Sequence, residues 1–141
     1  MLLIHAAHRT GREHVMPPLA VHLEEKGAGR MALLTATSVT STATTVTAVA
    51  VTSSDTISGS DIGTNGALLQ VINGSGGSVN VTISDPNTTA VGNAGTTVPQ
   101  AVPAGSDRWF RLSPGHVNPS TGVATVAYSA TTSVTCKLIR C

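Results

Sequence analysis

The chain is poor in the residues that usually carry chemistry. Of its 141 residues 11% are charged, well below the ~25% usual for globular proteins. Trp, Tyr and Phe occur once each, too few for a platform that stacks bases or sugars. Eight Lys and Arg against seven Asp and Glu leave a formal net charge of +1. That excludes the basic field by which nucleic acid or an anionic membrane surface is held. No run approaches the ~18 apolar residues of a membrane span, and the opening MLLIHAAHRTGREH places its charges after a short apolar run, unlike a signal peptide. Two cysteines make no disulfide framework. Cys136 and Cys141 fall on one strand-like terminal segment, where ~3.3 Å per residue separates them beyond disulfide reach. Cys136 alternates with Val134 and Leu138 as a small core residue, whereas Cys141 is either free or a cross-link between chains.

What is present is Thr, Ser, Val, Ala and Gly, in a chain long enough for one domain with a real core. Its hydrophobicity is too high and its net charge too low for a disordered chain. The charge is unevenly placed. Residues 1–30 hold seven charged residues and four of the five histidines, whereas from Met31 onward four Asp balance four Lys and Arg and Glu is absent. The break predicts two parts, an N-terminal arm or leader over 1–30 and a β domain over 31–141. In the first part PPLAVHLEEKG is the one candidate helix, with Pro17 and Pro18 in the first turn and Gly27 at the end. A genetic reading stands beside it, since EEKGAGR ahead of Met31 requires purine-rich codons, as a ribosome-binding site would.

From Met31 the period becomes two. SVTSTATTVTAVAVT alternates as a strand with one buried face, and SSDTISGSDIGTNG is dense in turn residues. ALLQVIN and SVNVTIS, joined by Gly-Ser-Gly-Gly, read as a hairpin. TTVPQAV carries Pro99, which confines it to a sheet edge or a bulge. DRWFRL, GVATVAYS and SVTCKLI complete about seven short strands, the last two read as a closing hairpin across ATT. The expected fold is an all-β antiparallel sandwich or barrel-like domain.

Catalytic and metal-binding arrangements are thin. Asp55, Asp61 and Asp85 sit in Ser/Gly/Asn-rich stretches where Asp is expected as a turn residue. His116, in SPGHVNPS, is the only histidine after residue 30 and so the only imidazole base for a nucleophile there. His5 and His8 are at helical spacing without the fixed geometry of a zinc site. Asp55, Ser58, Ser60, Asp61 and Asn65 are oxygen-rich but lack the spacing of a calcium loop. The expectation is no catalytic residue, no metal and no cofactor. The informative patch is DRWFRL. On a strand, Arg108, Phe110 and Leu112 share one face and Asp107, Trp109 and Arg111 the other. With Phe110 and Leu112 inward, Trp109 lies beside Arg111 outside, and these are residue types enriched at protein interfaces. The alternative is that Trp109 closes the end of the core.

The succession GALLQVINGSGGSVNVTISDP, TVPQAVPAGSDRWFRLSP and GVATVAYSATTSVTCKLIR resembles small virion proteins of tailed bacteriophages, especially those infecting actinobacteria. The resemblance covers most of residues 66–140 and is one of pattern, without a catalytic motif. It implies a non-enzymatic head decoration or minor capsid protein on the capsid surface, made in the host cytoplasm. Its implied partners are the major capsid protein and further copies of itself, as a trimer, with neither nucleic acid nor membrane. Trp109, Arg111, Asp107 and Cys141 are the candidate interface residues. A glycan- or surface-binding module of a tail or fibre is the alternative.

Overall fold

A computed structural model describes residues 31–141 apart from positions 89, 93, 94 and 96. The arm or leader over 1–30, with its candidate helix and His5, His8, His14 and His22, lies outside the described residues. The period of two becomes ten strands: β1 Leu33–Leu34, β2 Thr37–Ser38, β3 Val49–Ala50, β4 Ser54–Ser58, β5 Ala67–Asn73, β6 Val79–Ile83, β7 Gln100–Val102, β8 Ser106–Leu112, β9 Val123–Tyr128 and β10 Val134–Arg140. One helical turn, α1 Gly59–Ile62, follows β4, and a 3-10 turn, Pro114–His116, follows β8. The strands form two sheets, ordered β1-β4-β9-β6-β7 and β2-β10-β5-β8, with β3 also on β10. The fold is thus an all-β sandwich. It is not antiparallel throughout, because β1 runs parallel to β4 and β2 parallel to β10. The strand count exceeds seven because β1, β2 and β3 are two-residue pairings along the edges.

The core lies between the sheets. Ile57, Val79, Val81, Val102, Ala124 and Val126 of one sheet meet Ala67, Leu69, Val71, Leu112, Val134, Cys136 and Leu138 of the other. Burying a Val, Leu or Ile stabilises by about 1.5–3 kcal/mol. Apart from Tyr128 the core side chains are small or aliphatic. Within the second sheet the start of β5 approaches β8 closely at Gly66: its φ is +91°, and a Cβ there would stand 2.5 Å from the Leu112 carbonyl oxygen. No other residue fits that position without strain.

Three local expectations change. The stretch 38–52 is not one strand. Only Thr37–Ser38 and Val49–Ala50 pair, both on the same side of β10, and the residues between them leave the sheet. Ala and Thr alternate as strand residues do, but their faces are too small to hold the segment down by burial alone. Asp55 is not in a turn but on β4, facing the core beside Ile57, and is fully buried.

The third change concerns partners. β5 and β6 are not hairpin mates: β5 pairs with β8 and β10, and β6 with β7 and β9. Gly-Ser-Gly-Gly carries the chain from one sheet to the other as an arch, and ATT does the same between β9 and β10. The first arch is organised by Asn73, whose fully buried amide ends β5. Its Nδ2 donates to the carbonyls of Gly77 (2.8 Å), Val102 (2.9 Å) and Pro103 (3.2 Å). Its Oδ1 accepts from the Ser75 amide (3.0 Å) and hydroxyl (2.6 Å). The two arches bond to each other through Gly74 N–H and Ser133 O at 2.8 Å.

Replacing Asn73 by Ala leaves the buried Val102 carbonyl and the part-buried Gly77 and Pro103 carbonyls without this donor, and losing the partner of a buried polar group costs about 1–3 kcal/mol. Denaturant titration is expected to show Asn73→Ala losing about 2–3 kcal/mol, and Asn73→Asp at least as much, because a carboxylate would face three carbonyl oxygens. A loss under ~0.5 kcal/mol, the size of an ordinary surface substitution, would remove the amide from its organising role.

Candidate functional site

β8 is the free edge of its sheet, and its neighbours set what it displays. In register, Arg111 stands opposite Leu68, Trp109 opposite Gln70 and Asp107 opposite Ile72 on β5. On the far side of β5, Leu68, Gln70 and Ile72 face Ile139, Lys137 and Thr135 of β10. Since side chains alternate across a strand, these nine residues tile the outward face in three rows. Leu112 is fully buried and Phe110 half-buried, so Trp109 does not close the core and is 50% exposed. Arg111 and Asp107 are exposed beside it. Asp107 accepts from Gln70 Nε2 at 2.8 Å, and Arg111 donates to the Asn65 carbonyl at 3.2 Å. Both charged side chains are thereby oriented without being covered.

Sequence reasoning placed Trp109, Arg111 and Asp107 on this face but missed Leu68, Ile72 and Ile139, which are half-buried on it. Their signal was present in the doublets Leu68–Leu69, Val71–Ile72 and Leu138–Ile139. At a period of two, one member of each apolar pair must face outward. Cys141, the fourth candidate, follows β10, is exposed and free, and donates its N–H to the Gly66 carbonyl. It lies past the end of β10, beyond the three rows paired in register, at the Gly66 end of β5.

The opposite edge carries a cleft. Between β2 and β3 the side of β10 at Lys137 and Leu138 has no strand on it. A cavity of about 260 Å³ opens there, lined by Leu33, Leu34, Val46, Val49, Cys136 and Leu138 among others. It is apolar, with threonine hydroxyls at its rim.

Two polar groupings bear on catalysis. His116 has a serine partner that the sequence reading did not pair with it: Ser113 Oγ and the Ser113 amide both lie 3.0 Å from His116 Nδ1. An Nδ1 that accepts the amide N–H of the residue three before it is capping the 3-10 turn. Asp85 lies near enough for the His116 charge to contribute to a lowered carboxyl pKa, but the larger causes are the backbone and side-chain hydrogen bonds from Asn87.

The second grouping is inside the core. Asp55 accepts from the Thr52 amide and hydroxyl, and its charge acts on Tyr128 and Cys136. Burial, then the Asp55 carboxylate, pushes the Cys136 thiol up to about 11. Burial raises Tyr128 further still, and its hydroxyl is buried without a hydrogen-bond partner. Such a thiol is the reverse of an activated nucleophile.

The oxygen-rich loop does not converge. Asp61 pairs with Arg140 at 3.1 Å, Ser58 caps α1, and Asp55 points the other way into the core. Among the described residues no three His, Cys, Asp or Glu side chains gather to hold a metal. No family model, curated protein or solved structure matches this chain.

Both raised groups are neutral in the folded state, so stability is full below their unfolded values and lost as pH climbs toward the folded ones. Denaturant midpoints are expected to hold up to pH 8 and then fall from pH ~9, at up to about 1.4 kcal/mol per pH unit per group. Tyr128→Phe removes the tyrosine share above pH 10 and is expected to be neutral or stabilising at pH 7, because the lost hydroxyl had no partner. In the same conditions a thiol reagent is expected to modify Cys141 at once and Cys136 only on unfolding. His116→Ala is expected to cost about 1 kcal/mol, the worth of a cap; a loss of biological activity at unchanged stability would instead make the imidazole functional.

Proposed function

We propose that the chain is a non-enzymatic structural protein of a virion, decorating and stabilising a tailed-phage capsid by bridging major capsid protein subunits. The observation that carries this reading is the outward face of the β8 sheet. An exposed Trp109 stands there among half-buried Leu68, Ile72 and Ile139, rimmed by Arg111, Asp107 and Lys137. On this face Leu68 and Ile72 flank Gln70 on the middle strand and Trp109 stands at the free edge between Arg111 and Asp107; Trp and Arg are the usual anchors of a protein interface. Apolar area covered there contributes roughly 25 cal/mol per Å² before ordering costs. Many copies on one shell multiply a modest contact. The resemblance of residues 66–140 to small virion proteins supports the same reading.

The hydrogen-bonded Gln70–Asp107 pair beside the indole favours one second reading, a glycan-binding module, since a sugar ring stacks on Trp and bonds to such polar groups.

The test is binding of the purified full chain to capsids of the source virus, followed by co-sedimentation. Trp109→Ala is expected to lower capsid affinity at least tenfold, as an anchor residue does, with its thermal midpoint within a few degrees of the parent. Binding that survives the substitution removes Trp109 from the contact. Failure to bind capsids, together with retention on a glycan array, overturns the decoration reading in favour of the second.

A further inference from the structure

We infer that β8 is a self-pairing edge, through which two copies of this chain join antiparallel about a two-fold axis at Trp109. Seven residues long, β8 is bounded by β5 on one side only. Its inward-side residue Arg108 is itself exposed, and among the described residues no other element covers the strand there. A long open edge is a template for pairing, and charges on it normally prevent that. Here the charges have a symmetry. In SDRWFRL, residues two before and two after Trp109 are Asp107 and Arg111, and those one before and one after are Arg108 and Phe110.

Laid antiparallel on a second copy with Trp109 opposite Trp109, the five positions from Asp107 to Arg111 each meet a complement. On the outer face Asp107 opposes Arg111 of the second copy and Arg111 opposes its Asp107, with the two indoles side by side between them. On the inner face each Arg108 guanidinium stands across from a Phe110 ring, the arrangement of a cation–π contact. Directly opposed unlike charges and aromatic pairs are the stabilising units of a sheet. A two-fold interface needs just this reciprocity, residue i on j and j on i.

Other registers lack it. Centring the pair on Arg108 sets two guanidinium groups against each other, and centring it on Phe110 leaves Asp107 without Arg111. Parallel pairing in register opposes like charges at all three positions. The edge is therefore closed to most strands and open to its own copy, which is specificity by repulsion of the alternatives.

The pairing makes one continuous sheet from the two β2-β10-β5-β8 paths and doubles the Trp109 face. It is two-fold, in place of the three-fold association expected from the sequence. It leaves the Cys141 thiols out of contact: from β10 through β8 to the second β10 is five strand spacings, about 24 Å, far beyond disulfide reach. The inference stands whether or not the protein binds a capsid.

The test is sedimentation equilibrium of the full chain, with emission of the sole Trp read on dilution. The parent is expected as a dimer of twice the 14.2 kDa chain, with Trp109 emission moving to longer wavelength as it dissociates. Asp107→Arg or Arg111→Asp alone turns two attractive oppositions into two repulsive ones and is expected to weaken the dimer about tenfold or more. The double reversal Asp107→Arg/Arg111→Asp restores the oppositions and is expected to restore the dimer, which a merely unfolded or depleted variant would not do. A parent that stays monomeric to its solubility limit, a three-fold assembly, or single reversals that leave the dimer intact would each overturn the pairing. Capsid binding by a monomer overturns this inference alone, and a dimer indifferent to capsids overturns the decoration reading alone.

Discussion

Everything outward depends on one inward constraint: of the chain's several changes of sheet, those after Asn73 and at Ser133 are made by two arches that bond to each other. At the Asn73 arch the buried Val102 carbonyl and the part-buried carbonyls of Gly77 and Pro103 share one donor, the Asn73 amide. Because that amide reaches the β7–β8 connection, it ties the β5 end to the start of β8. The turn at Pro103–Gly105 closes with Ser106 donating to Pro103, and Gly105 takes φ +67° there. The edge strand that bears Trp109 is thus set by a buried hydrogen-bond cluster at its root, while its own side chains remain free.

Scarcity of charge explains the rest of the surface. After residue 30 there are four charges of each sign, and most are committed within the chain. Asp55 is held by Thr52, Asp61 by Arg140, Asp85 by Asn87, and Asp107 and Arg111 are oriented by Gln70 and the Asn65 carbonyl. The Arg140 guanidinium also donates to the carbonyls of Ser60 and Asp61, pinning the last strand to α1. β8 is the one strand with three charged side chains, so that edge holds what polar specificity the sandwich offers.

Faces were legible in the sequence and partners were not. Alternation at a period of two assigned Phe110 and Leu112 inward and Trp109 and Arg111 outward, as observed. It also put Cys136 in the core, and Pro99 confined its own segment to an edge or a bulge, of which β7 is the edge. Alternation says which side of a strand is buried but not which strand lies next to it, and a Gly-rich link can close a hairpin or an arch. The 71–84 stretch was read as the first and is the second, because Asn73 supplies bonds that span the sheets. Asp55 misled for a related reason: its Ser-rich surroundings look like a turn, and only the partner Thr52 makes its burial tolerable. The outer apolar residues were visible as doublets but became a surface only once β5, β8 and β10 were set side by side.

The two parallel pairings have a mechanical meaning. β2, near the start of the described chain, runs in the same direction as β10 at its end, and β1 runs with β4. Tension between the two ends therefore draws β2 and β10 past each other lengthwise, loading their cross-strand hydrogen bonds together in shear instead of opening them one at a time like a zip. A sandwich laced in this way is loaded in shear along its strands and opened bond by bond when peeled across them.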